Sequence, residues 1–125
     1  MTAPPPPNLP VPSVRQMTNG ELADLAASGD PYRGKAVFEL VDRARSDDDA
    51  ATRLDQLSRL PALRNDRAFH LVSLAWAAII GLLAAETAHA RARAYAAFEA
   101  LDSTEQVNFL AYVRAERIED AHPRI

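Results

Sequence analysis

Between Arg67 and Glu86 the chain runs for eighteen residues without a charge, AFHLVSLAWAAIIGLLAA, its one long apolar block. On a 3.6-residue helix the block separates into three stripes. Phe69, Val72, Trp76, Ile79, Ile80 and Leu83 form a bulky face, and Leu71, Leu74, Ala78 and Leu82 a flatter one. Ser73, Ala77 and Gly81, spaced by four, form a third face of small side chains, which lets another backbone come close. A helix apolar on nearly every side is a central core helix or a membrane span. His70, Ser73, Gly81 and six alanines dilute this block below the roughly twenty predominantly apolar residues of a span. Arginines on both flanks set no orientation across a bilayer. The expectation is a buried central helix, with a membrane-associated protein using 68–85 as a span as the alternative.

The flanking pattern is helical throughout, and no stretch alternates with period two for more than a few residues. Thr18 and Glu21 have capping-box spacing and open a short helix carrying Leu22, Leu25 and Ala26, which stops at Ser28-Gly29. Asp30-Pro31 is expected to restart the chain as N-cap and first helical residue. Tyr32, Ala36, Val37, Leu40, Val41 and Ala44 then make a continuous stripe, with Glu39 and Arg43 paired on the outer side. Ser46 is expected to cap a third helix with Ala50, Leu54 and Leu57 inward, Pro61 to end it, and Leu63–Asn65 to connect it onward. After Glu86, Ala90, Ala94, Ala97, Phe98 and Leu101 can pack while Arg91, Arg93 and Glu99 face outward. Base rates of helix length favour a break near Glu86-Thr87. Asp102 and Ser103 each precede an acid or amide by three residues and open the last helix. Its inner side is expected to carry Val107, Leu110, Ala111 and Val113, with fraying before His122-Pro123.

Six of the nine prolines fall in residues 1–14, a composition suited to polyproline II rather than to packed structure. Residues 1–16 are therefore expected to be a disordered tail, 17–121 one α-helical domain, and 122–125 a frayed end. The tail lacks the basic start and apolar centre of a signal peptide, so a cytoplasmic protein is expected. Pro4, Pro7 and Pro10 have P-x-x-P spacing, but no basic residue flanks them closely.

The absence of cysteine excludes disulfides, thiolate metal sites and cysteine nucleophiles. The net charge of −3 is uneven, at −4 over residues 20–50 and +2 over 51–85. No segment has the basic footprint of a nucleic-acid binder. A helix-turn-helix across Leu22–Leu40 would place Lys35 where that motif wants an apolar residue, and Asp30, Glu39 and Asp42 toward phosphate. Asp47, Asp48 and Asp49 lack the alternation and glycine of a calcium loop, and suit the positive end of a helix dipole. Glu86-x-x-His89 and Glu119-x-x-His122 have the i, i+3 spacing of di-iron bundles but lack the two further glutamates on facing helices. His70, among apolar neighbours, reads as a core imidazole bonded to a carbonyl. No nucleophile elbow or glycine-rich phosphate loop exists. No catalytic residue, metal or cofactor is expected, and the chain is read as a non-enzyme.

Tyr32-Arg33-Gly34-Lys35-Ala36, preceded by Asp30 and followed by Leu40, resembles the second helix of a HEAT repeat. Ala90-Arg91 with Ala94 and Phe98 resembles it more loosely. The two arginines lie fifty-eight residues apart, beyond the usual period of about forty to forty-seven. The resemblance covers about half the chain and implies a small stack of helical hairpins that binds other proteins.

The fold expected is all-α, with five or six antiparallel helices stacked as hairpins or bundled around the central apolar helix. The function expected is a non-enzymatic protein–protein interaction module: an adaptor, an assembly subunit, or an inhibitor that masks a partner. A helical nucleic-acid-binding protein is the second alternative. The partner is an unidentified protein, and homo-oligomerisation is compatible with the same surfaces. The acidic first third could steer a basic partner, and its candidate contacts are Asp24, Asp30, Arg33, Asp47, Asp48 and Asp49.

Overall fold

The computed structural model describes residues 12–66 and 72–124. Most of the expected tail, and Phe69, His70 and Leu71 of the apolar block, lie outside the described residues. The described chain is all-helical: α1 (Asn19–Ala27), α2 (Arg33–Arg43), α3 (Asp48–Ser58), α4 (Pro61–Arg64), α5 (Leu74–Ala85), α6 (Ala88–Glu99) and α7 (Ser103–Val113). One-turn 3-10 helices occupy Val14–Gln16 and Ile118–Asp120.

Local chemistry sets most of these boundaries. Thr18 and Glu21 form the expected reciprocal capping box at α1, and Gly29 takes φ +81° just past the end of that helix. Asp30 does not cap α2. Its carboxylate accepts from Tyr32 N–H at 2.8 Å in a local turn, and the helix begins at Arg33. Asp47, rather than Ser46, caps α3: its Oδ1 accepts from the amides of Asp49 and Ala50, and a carboxylate suits the positive end of the helix. Pro61 does not end α3. That helix stops at Ser58, and Pro61 instead starts α4, where its missing N–H costs nothing. The expected connector 63–65 is thus largely helix. The break after α5 falls at Glu86, which is left-handed (φ 61°), and Thr87 caps α6 by accepting from Ala90 N–H.

The described part of the apolar block is the hub. α5 packs on α2, α3, α4 and α6, and nearly all of its side chains are buried. The small stripe works as its spacing suggests: a Cβ built on Gly81 would lie 2.5 Å from Val41 Cγ2, so α2 and α5 are in direct backbone-to-side-chain contact. Ala90, Ala94 and Ala97 give α6 a similarly thin buried face, and α6 packs on α3 and α5. Non-sequential contacts such as α1 with α3 and α2 with α5 tie the helices together. Repeat arrays are built from contacts between neighbours, so this packing carries no evidence of HEAT-like repeats.

The last helix keeps Leu110 and Val113 against the core as expected but departs from expectation in the rest of its inner face. Val107 is 67 % exposed and Ala111 is exposed, whereas Phe109 is fully buried. Phe109 meets the edge of Trp76 at 5.2 Å and Phe98 at 5.8 Å, and this aromatic packing rotates the helix onto α5 and α6. Trp76 Nε1–H donates to Glu105 at 3.0 Å and holds the N-terminal turn of α7 in the same orientation. α7 ends at Val113 instead of running on to His122. Arg114 is left-handed (φ 57°) and turns the chain back, so that Ile118 and Ala121 are buried.

Substitutions at Gly81, Phe109 and Val107 test this packing in chemical denaturation. Gly81→Ala should destabilise the fold by roughly 1–3 kcal/mol, with part of the loss recovered in a Gly81→Ala/Val41→Ala double variant. Phe109→Ala should cost about 3–5 kcal/mol. Val107→Ala should stay within about 0.5 kcal/mol. Equal losses at 107 and 109 would mean that α7 presents a different face.

Candidate binding groove

The acidic residues singled out from the sequence are mostly committed to the fold. Asn19 Nδ2 on α1 donates to Asp47 at 2.9 Å and to Asp49 at 3.0 Å, binding the start of α3 to α1. Arg53 reaches back to Asp49 at 2.9 Å. The Asn19 amide, together with the backbone amides of α3, holds the Asp47 carboxyl below the usual range. Arg53, then Asn19, do the same for Asp49. Arg33 pairs with Asp66, and its guanidinium also donates to the Asp30 carbonyl at 3.0 Å. Asp24 and Asp48 remain exposed.

The two histidine motifs are divided. Glu86 meets His122 of the other motif, with Nδ1 donating at 3.0 Å, while His89 Nε2 contacts Thr52 Oγ1 at 3.2 Å. No group of three or more potential metal ligands forms among the described residues. His70 lies outside them.

Arg91 is the largest departure on α6. It was expected to face solvent, yet its guanidinium donates to the carbonyls of Leu83, Glu119 and Ala121 at 3.1–3.3 Å. Its Nε–H donates to Tyr95 Oη at 2.9 Å. One side chain therefore satisfies a terminal carbonyl of α5 and fixes the segment after α7, which a planar guanidinium with five donors can do. Sequence position alone could not reveal this, because two of the three carbonyls it meets belong to Glu119 and Ala121, 28 and 30 positions away.

That fixed segment completes a groove. Phe38 and Val41 of α2, Val72, Ala77 and Ile80 at α5, and Tyr112 and Val113 of α7 enclose about 390 Å³, with Arg114, Pro123 and Arg124 along one edge. Phe38 is 41 % and Tyr112 48 % exposed, two of the largest apolar side chains at the surface. Both lie off the inner stripes of their helices, and that is the signal the sequence carried for them: bulky side chains with no assigned place in the core. A second, more polar cleft adjoins it, lined by Arg45, Ala84, Glu86, His122, Pro123 and Arg124. A third cleft of about 550 Å³ lies by Trp76, Glu105, Asn108 and Arg64, where Arg64 is held by the carbonyls of Ser58 and Ala100.

No family model, curated protein or solved structure matches this chain. No helix among the described residues is long and apolar enough to cross a membrane.

The carboxylates give a pH signature. His122 hydrogen-bonded to Glu86 lowers the Glu86 carboxyl, and the Thr18 backbone and hydroxyl lower Glu21. Depressed folded-state values, including those of Asp47 and Asp49, mean stability that is present above the unfolded values, near 4, and lost as pH falls through the folded ones. Thermal midpoints should therefore hold between pH 7 and 5 and fall below about pH 4. A drop confined to the higher interval would contradict the pairing. Arg91→Ala should speed amide exchange of Ile118–Ala121, and Arg91→Lys, a point charge in place of a fork, should restore little of the protection.

Proposed function

We propose that this chain is a non-enzymatic protein–protein interaction module, an adaptor or assembly subunit that holds a segment of a partner in the groove between α2, α5 and the end of α7. The observation that carries this reading is that two of the three large apolar side chains exposed among the described residues, Phe38 and Tyr112, line one concave, mainly apolar place. Concave, mainly apolar pockets with a few polar groups at the rim are where proteins take ligands. The aromatic residues at this one are of the kind that anchors interfaces.

The acidic face predicted from sequence is the weaker candidate surface. Asp47 and Asp49 already spend their acceptors on Asn19, Arg53 and the α3 amides, so binding through them would first break contacts that hold α1 to α3. A cytoplasmic location remains part of the proposal.

The test needs a partner purified to homogeneity, not a band in a pull-down. With such a partner, Tyr112→Ala should weaken binding at least about tenfold, as expected for an interface anchor. The thermal midpoint should fall only slightly, because Tyr112 is half exposed and its one ring contact in the core is with Trp76 at 6.0 Å. Val107→Ala, which removes an exposed apolar group elsewhere on α7, should leave affinity unaltered. Loss of binding in Asp24→Asn and Asp48→Asn, with Tyr112→Ala binding normally, would move the interface to the acidic face.

A further inference from the structure

The charges around the groove narrow what it can hold, an inference that rests on the docking role just proposed. Elsewhere most of the arginines are paired within the chain, the exposed Arg15 being an exception. Arg43 bonds Glu39 and the carbonyls of Val14 and Arg15, Arg59 and Arg93 share the buried Asp55, and Arg117 pairs with Asp120. At the groove and its adjoining cleft the pattern changes. Arg45, Arg114 and Arg124 line these two surfaces, and none joins an ion pair or side-chain hydrogen bond among the described residues. The carboxylate in the adjoining cleft, Glu86, is already engaged by His122. A chain of net charge −3 thus presents a positive rim beside its principal apolar groove.

Arg114 adds a second observation. It holds a left-handed backbone, φ 57° and ψ 50°, where glycine is the favoured residue and other side chains cost about 1–2 kcal/mol. The position that closes α7 therefore carries a guanidinium against the preference of its own backbone.

We propose that the groove binds an amphipathic helix from a protein partner, with apolar residues at i, i+3 and i+4 seated between Phe38, Ile80 and Val113. Acidic residues on that helix meet Arg45, Arg114 and Arg124. A helix fits the site because the floor is a helix–helix seam, α2 against α5, into which the ridges of another helix can pack. The described residues offer no sheet to which a strand could add. The chain's own residues 1–11, MTAPPPPNLPV, hold no carboxylate and would leave all three guanidiniums unpaired. A flat bilayer meets convex apolar faces rather than a concave seam.

The experiment uses the full chain and labelled helical peptides of about fifteen residues, long enough to reach helicity on binding. All carry the same leucine stripe, with glutamate, glutamine or lysine at the polar positions. Fluorescence anisotropy should show the glutamate peptide binding at least about tenfold tighter than the lysine peptide at low salt, with the gap shrinking as salt rises. Arg114→Gly should weaken the glutamate peptide several-fold while raising the thermal midpoint, which separates lost recognition from lost folding. Equal binding of all three peptides, abolished by Tyr112→Ala, would overturn the charge preference and leave the docking role standing. Binding of none, by the full chain or by a variant lacking residues 1–11, would overturn both. Preference for the MTAPPPPNLPV peptide, or for phosphatidylserine vesicles over every peptide, would replace the partner helix with the chain's own segment or with a membrane surface.

Discussion

The fold depends on how closely α2 and α5 approach each other. Gly81 leaves no room for a side chain against Val41, and that spacing brings the two helices near enough for α5 to be covered on nearly every side. A helix of ordinary amphipathic character could leave one face in water; this one cannot, because its apolar residues run all the way round. The surrounding helices are arranged to meet that requirement. α3 and α6 come in on alanines, α4 contributes Leu63, and α7 lays Phe109 across Trp76.

Between the helices, long polar side chains supply the connections that small apolar ones cannot. Asp55 is buried on α3 and is met by Arg59 of its own helix at 2.9 Å and by Arg93 of α6 at 3.5 Å, whose exposed heads remain hydrated. Arg43 carries the 3-10 turn Val14–Gln16 onto α2 and also donates to Asn19 Oδ1, while the Asn19 amide nitrogen donates in turn to the start of α3. No buried side-chain nitrogen or oxygen among the described residues lacks a partner. These links fix α1, α3 and α6 around the hub with a chemistry that burial alone would not make specific.

Much of this was legible in the sequence, for identifiable reasons. Apolar periodicity located the inner faces of α2, α3 and α6, and the 73-77-81 spacing marked the close approach. Capping residues placed the starts of α1 and α7 because a cap is a contact within three residues. Local signals misplaced the boundaries at Asp30, Ser46 and Pro61, where neighbouring residues compete for the same role, and the larger failures were features decided by distant parts of the chain. The face of α7 turned on an aromatic contact between Phe109 and Trp76, thirty-three positions apart, which outweighed a plausible aliphatic stripe through Val107. Arg91 looked solvent-facing because its type is, and its partners are carbonyls, which every residue has and no sequence pattern marks. The groove was hidden for a related reason: it is assembled from three helices and the segment beyond them, and its residues share no local motif.

The thin alanine face of α6 links places that never touch. Ala90 and Ala94 are both fully buried, and on the same helix Arg91 holds the backbone of Glu119 and Ala121. A larger side chain at the fully buried Ala94 would press on closely packed neighbours and could be relieved by moving α6 outward. The guanidinium travels with it, and so do the carbonyls it grips. Variation at one small residue in the interior would thus reach the outer edge formed by Pro123 and Arg124, giving selection a way to reshape that edge without altering a single residue on it.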